Sequence, residues 1–419
     1  MVVEAGLVAS LQAVRDAADA VDGGVDLPPG AVICGGFSDH HLHLLATAAA
    51  RRSVDLSTAR SLAEVGDALA DAARRTPPGR WLRAWGLDES DLAEQRLPTV
   101  DELDEATAGR PLVLHHRTGH LQLRNRAAEA AGAPDPLPFD ELAEAVAAVG
   151  AELLANGITA VTDATHTNDR TALELLDRFR LPVQVTAMVG AEHLHGLAFG
   201  TTVGSVMVGP AKIMPPHHGL DRVAERVAAA HRAGFPVAVH AVDIDELQAA
   251  LDGGLGPGDR IEHLGLSLPE QLTELATRRI AVVTQPAFVT RRAAKYHREL
   301  SEIEQGWLYR LRSALDAGIE LRGSSDAPVV PARPLEQVAA AMTRTLGPSE
   351  RIDVDSALGL VGAPLSVGAA ADLVVLAEDP RMAARTDPAR VADIAVLAVW
   401  RNGRLLVGDE RRWPGRTQA

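Results

Sequence analysis

From residue 158 onward the chain alternates short β-branched apolar runs with Ala-, Leu- and Arg-rich amphipathic stretches, the pattern of repeated βα units around a parallel sheet. The apolar runs predict strands over 158–163, 182–189, 206–214, 236–240, 260–264, 280–286 and 320–326, and the run 36–43 adds an eighth. Helical spacing fills the gaps. Val223, Val227 and Ala230 share one face of 220–233, and 244–251 and 308–317 repeat the pattern, the last closed by Gly318. Eight strands with intervening helices predict an α/β fold, a (β/α)8 TIM-like barrel whose active site belongs at the C-terminal ends of its strands.

Two regions fall outside eight simple units. Between the first and second strands lie a helical stretch at 61–75, the run 81–85, a strand-like piece at 111–116 and a Pro-rich piece at 133–138. They predict an inserted subdomain over about 77–138 that caps the barrel mouth. Toward the C-terminus, 371–376 and 394–407 are strand-like, with Asn402-Gly403 as a hairpin turn. Together with 25–33 they predict a small β-domain made from both ends of the chain, residues 1–34 and 365–419, around a barrel domain at 35–364.

Composition narrows the function. With 419 residues and 47% hydrophobic content the chain can bury a large core. A formal net charge of -15 argues against nucleic acid or an anionic membrane as partner, since both need a basic footprint. No apolar run reaches the roughly 18 residues of a membrane helix, and the start of the chain lacks the basic-then-apolar pattern of a signal peptide. The single cysteine, Cys34, excludes an intramolecular disulfide, fits a reducing cytosol and reads as a packing residue. These features predict a cytoplasmic protein with a small-molecule substrate, free to form an oligomer. Aromatics at 3% favour recognition of polar or aliphatic groups over stacking of large rings.

The candidate chemistry begins in Gly36-Phe37-Ser38-Asp39-His40-His41-Leu42-His43. Strand residues i and i+2 face the same way, so His41 and His43 can aim at one metal ion. Four further ionisable residues close otherwise apolar strands: Lys212, His240, His263 and Asp326. Burying any one alone costs several kcal/mol, roughly, in desolvation; a shared metal site removes that penalty. Asp39, on the same strand face as His41, is placed to orient a ring from behind.

This ordered set resembles the amidohydrolase superfamily, with its His-x-His on the first barrel strand, a lysine on the fourth, histidines on the fifth and sixth, and an aspartate on the eighth. Gly157-Ile158-Thr159-Ala160-Val161-Thr162-Asp163, Gln285-Pro286, Ser325-Asp326-Ala327-Pro328, Trp85-Gly86-Leu87-Asp88, Leu97-Pro98-Thr99 and Gly119-His120 with Asn125 are similar to the branch containing N-substituted formamide deformylase. The resemblance spans about residues 25–408. It implies one or two divalent ions, Zn²⁺ foremost, held by His41, His43, Lys212, His240, His263 and Asp326. Lys212 would carry a CO2-derived carbamate as an anionic bridge in place of a repelled ammonium. Asp326 would be the catalytic residue, taking a proton from water and returning it to the leaving nitrogen. His120, Trp85, His217 and His218 become substrate-contacting candidates.

Plainer readings stand beside these. His263 can be salt-linked through Glu262 or serve as a helix cap, Lys212 can be a half-exposed lysine, and Asp326 can be a turn residue. His217-His218 replaces the family's usual Asp-Gly, and 7–21 looks helical where the family has strands, which predicts a truncated small domain. The leading expectation is a metal-dependent hydrolase of an amide or related C–N bond. The alternatives are a mononuclear deaminase of the same superfamily, for which Glu246 is poorly placed as proton shuttle, and an inactive metal-binding barrel.

Overall fold

The computed structural model describes residues 27–77, 79–134, 136–215, 219–362 and 364–409, together with the backbone of 2–4 and 7–10. His217 and His218 lie outside the described residues. The chain divides into two compact units, one of 1–42, 150–326 and 332–419, the other of 43–149 and 327–331.

In the first unit eight parallel strands follow one another around a sheet: β1 (Phe37–Leu42), β2 (Ile158–Asp163), β3 (Gln184–Gly190), β4 (Val206–Ile213), β5 (Val237–Ala241), β6 (Arg260–His263), β7 (Ala281–Thr284) and β8 (Leu321–Gly323). Each lies within about two residues of its expected place, except that β7 and β8 end earlier because the chain leaves extended geometry to build the site. The strands are largely apolar because helices cover the outer face of the sheet and the inner face packs on itself, and β5 is buried at every position. The ring is drawn closed just beyond β8, where Asp326 N–H donates to His41 O at 2.8 Å and Ser325 N–H donates to the Asp39 carboxylate at 3.1 Å. Helices Val223–Arg232 and Ile244–Asp252 match the expected spacing, with Val223, Val227 and Ala230 buried. The helix expected at 308–317 begins only at Leu311, because Leu308 bridges to Leu266 and Tyr309 adopts φ 44°.

The same unit carries a four-stranded antiparallel sheet from both ends of the chain: Val32–Gly35, Leu373–Leu376, Val396–Arg401 and Arg404–Val407. Its hairpin turns on Asn402 and Gly403, both with positive φ, as a two-residue turn requires. Cys34 sits in it, its thiol pushed up to about 12 by burial. The helix expected over 7–21 is corrected over its first residues: Leu7–Ser10 is a strand paired antiparallel with Val2–Glu4, Val8 opposite Val3. The rest of that stretch lies outside the described residues.

The second unit holds its own sheet, Val54–Asp55, Leu82–Leu87, Leu112–His116 and Gln122–Arg124. Helices Leu62–Arg75 and Val100–Thr107 build a separate core with it, around Val65, Leu69, Leu82, Leu103 and Leu114. No described helix is long and apolar enough to cross a membrane.

Candidate metal centre

Strand register determines which residues face the barrel axis. Lys212 pairs with Ala238, and His240 with Glu262, across neighbouring parallel strands, so Lys212, His240 and Glu262 share one face. His263 directly follows Glu262 and would point away in an extended chain. It does not, because φ turns to 76° at His263 and 52° at Leu264. Its ring lies 4.7 Å from that of His41 and 4.5 Å from that of His240, centroid to centroid. Asp326 takes φ 56° in the same way at the end of β8. Non-glycine residues in this region cost on the order of 1–3 kcal/mol each and cluster at functional sites.

The result is a convergence of donors. Ligand atoms of His41, His263 and Asp326 lie within 4.8 Å of one another, and His41 Nε2 is 3.5 Å from Asp326 Oδ1. All three residues are buried. The opposite edge of each imidazole is occupied. His41 Nδ1 donates to Glu262, a carboxylate with no exposed surface that also accepts from Arg260 Nε at 2.5 Å. His263 Nδ1 donates to Gln285 Oε1 at 2.9 Å, and the Gln285 amide is oriented by giving its N–H to Ser324 Oγ at 2.8 Å. With both Nδ1 atoms protonated, each Nε2 presents a lone pair, the state a metal requires. Burial pushes His263 down to about 4, which keeps that ring neutral.

Lys212 is 1% exposed, and among the described residues its Nζ has no hydrogen-bond partner. Burial lowers its pKa to about 8, against the pull of Glu262 and Asp326. An orphaned cationic amine there is costly, and this removes the half-exposed reading of Lys212. Conversion of Nζ to an anionic oxygen donor facing a cation fits the observation, so the residues present suit the metal the sequence implies.

Glu262 and Gln285 were not anticipated as supports. Arg260 and Glu262 alternate at period two with an apolar strand, a signal that two charged side chains enter the barrel as a pair. Asp39 does not stand behind a ring: its carboxylate accepts the backbone N–H of His41 at 3.2 Å and of Ser325, tying β1 to the end of β8. Because carboxylates behind metal-binding imidazoles set ligand basicity, Glu262→Gln is expected to weaken metal affinity by about 10–100-fold while the fold is kept. Competition titration with a chelating dye measures this, and unchanged affinity would reduce Glu262 to packing.

The remaining candidates belong to the second unit. His43 follows β1 and gives its N–H to Ala327 O at 2.8 Å, and its side chain does not cap helix Leu44–Arg51. Trp85 is half-buried on Leu82–Leu87 and His120 is exposed. A second group, Asp88, Glu89 and His116, also has metal-like spacing. There Thr118 N–H donates to His116 Nδ1 at 3.2 Å, so the proton sits on Nε2 and is given to Glu89 at 2.9 Å. Asp88 accepts two bonds from Ser90. That arrangement is a hydrogen-bond network of its own.

Comparison with known proteins adds an independent line. A family model described as "Amidohydrolase family" matches residues 25–407. The N-substituted formamide deformylase of Arthrobacter pascens is 25% identical over 458 aligned positions, covering 84% of each chain. Two solved structures of uncharacterized metal-dependent hydrolases share the fold. That of Pyrococcus horikoshii OT3 has TM-score 0.67 and 22% identity, covering 84% of this chain and 87% of its own. That of Pyrococcus furiosus has TM-score 0.65 and 23% identity, covering 84% and 88%.

Proposed function

Because the chain belongs to the amidohydrolase family, we propose that it is a metal-dependent hydrolase of carbon–nitrogen bonds and that His41, His43, His240, His263, Asp326 and a carbamylated Lys212 are the residues that hold its metal. The observation that carries this reading is the meeting of His41, His263 and Asp326 with each Nδ1 already engaged and Lys212 Nζ buried beside them. Zn²⁺ suits this nitrogen and oxygen set, as one ion or two. A divalent ion in such a site supplies Lewis acidity, making water nucleophilic near neutral pH.

The chain's own residues do the rest. Asp326 Oδ1, beside His41 Nε2, accepts the proton of the attacking water and returns it to the nitrogen that leaves. A carboxylate and an amine are the products. Formation of the carbamate joins Nζ of the Lys212 ammonium to CO2 with release of two protons, changing the local charge by about two units. His120, Trp85, His217 and His218 are the candidate substrate contacts. The deaminase alternative is less well supported, because Glu246 accepts Val242 N–H at 2.8 Å in the first turn of its helix. The acidic charge and the lone cysteine support a small-molecule enzyme of the cytoplasm.

Lys212→Ala is expected to lose at least one bound ion and about 10²-fold or more in turnover, with partial rescue by added formate or acetate, which can replace the missing oxygen bridge. Metal analysis with and without rescuer checks this; unchanged metal content would refute carbamylation. A screen of N-formyl, N-acyl and cyclic amides, run on the metal-analysed enzyme, tests the reaction class.

A further inference from the structure

The chain has only two tyrosines, and both stand together after the strand ends that carry His263 and Gln285. Tyr296 and Tyr309 have ring centroids 6.4 Å apart, and Phe288 meets Tyr309 edge-on at 6.0 Å. Arg292 lies across this group, its guanidinium 6.0 Å from the Phe288 ring and 5.9 Å from the Tyr296 ring. Phe288 is on helix Pro286–Arg291, which starts at the residue after Gln285, and Tyr296 is on Ala293–Glu299. The wall therefore begins at the catalytic ends of β6 and β7.

Its position is held firmly. Tyr309 has φ 44°; its N–H donates to Gly265 O at 2.8 Å, two residues past His263, and its carbonyl accepts from the buried Arg344 at 2.6 Å. A strained residue pinned on both sides is a preorganised one. The Tyr296 hydroxyl is hydrogen-bonded to Tyr309 and to Arg292. A guanidinium can only donate, so the Tyr296 oxygen accepts from Arg292 and holds it beside the rings. The negative charge of Asp326 is felt at Tyr309, which places the wall within electrostatic reach of the proposed proton carrier.

A guanidinium backed by two rings and steadied by a phenol oxygen is a planar donor matched to a carboxylate. An acidic protein needs such a local cation to admit an anion. Resting on the hydrolase reading above, we propose that Arg292, with Tyr296, selects amide substrates that carry a carboxylate, such as N-acyl amino acids.

The test compares N-formyl-leucine with its neutral carboxamide. Binding is measured calorimetrically to metal-loaded Asp326→Asn enzyme, and turnover is measured on wild type. Wild type is expected to favour the carboxylate by about 10–100-fold in kcat/KM, the range of a charged hydrogen-bonded pair. Arg292→Met should erase that preference through KM, Arg292→Lys should restore part of it, and Tyr296→Phe should lose a smaller share. Equal weakening of both compounds, or no preference in wild type, would overturn the proposal. The binding arm separates the two claims: absence of metal-dependent turnover on any amide sinks the hydrolase reading, while loss of carboxylate selectivity in Arg292→Met still reads the anion site.

Discussion

Exchanging His41 and His43 together for alanine should leave a chain that retains no divalent metal after dialysis and has lost at least about 10⁴-fold in kcat/KM. The size follows from what the ion supplies: water's pKa falls from 15.7 to about 7 on coordination, so even half of that logarithmic gain exceeds ten-thousandfold. His41 is the better anchored of the two. It is 1% exposed, its Nδ1 held by Glu262 and its Nε2 3.5 Å from Asp326 Oδ1. His43 is the second proposed imidazole, two positions on. Glu262 retains Arg260 when His41 is removed, so the buried carboxylate is not left alone and the barrel should survive. Thermal unfolding run alongside metal analysis separates loss of metal from loss of fold. Hydrolysis persisting in the metal-stripped double variant would reject the mechanism.

Asp326→Asn should behave differently, keeping part of the metal while kcat falls by about 10²–10⁴-fold with little change in KM. Asparagine preserves the shape and the backbone bond to His41 O but cannot take up a proton, and proton transfer by a positioned side chain contributes about that factor. A drop in kcat and kcat/KM together marks an interaction made only in the transition state. Single-turnover rates on an amide with a good leaving group sharpen the reading, since such a substrate needs less help from the returning proton and should lose less. A variant with near-normal kcat would strip Asp326 of its shuttle role.

The barrel was legible because parallel strands buried by helices outside and by one another's side chains inside read as short apolar runs at regular spacing, and each of the eight is where those runs fall. The order of His41, Lys212, His240, His263 and Asp326 was legible for the same reason, since an ionisable residue at the end of such a run stands out. Period-two reasoning failed at His263: it follows Glu262, and only the backbone's turn to positive φ brings its ring inward. Nothing in local propensity announces that turn. The supports Glu262 and Gln285 were hidden because their partners are 221 and 22 residues away in the chain. Low aromatic content says nothing of placement, and both tyrosines gather beside β6 and β7. The N-terminal strand pair Val2–Glu4 and Leu7–Ser10 was missed for a related reason: a four-residue strand shows too few periods to be told from a helix.

The most direct measurement is the metal content and amide turnover of one wild-type sample before and after treatment with a chelator. One or two divalent ions per chain, with hydrolysis that vanishes on stripping and returns with Zn²⁺, is the result expected of a site built on His41, His263 and Asp326. Undiminished hydrolysis by the stripped chain would contradict it.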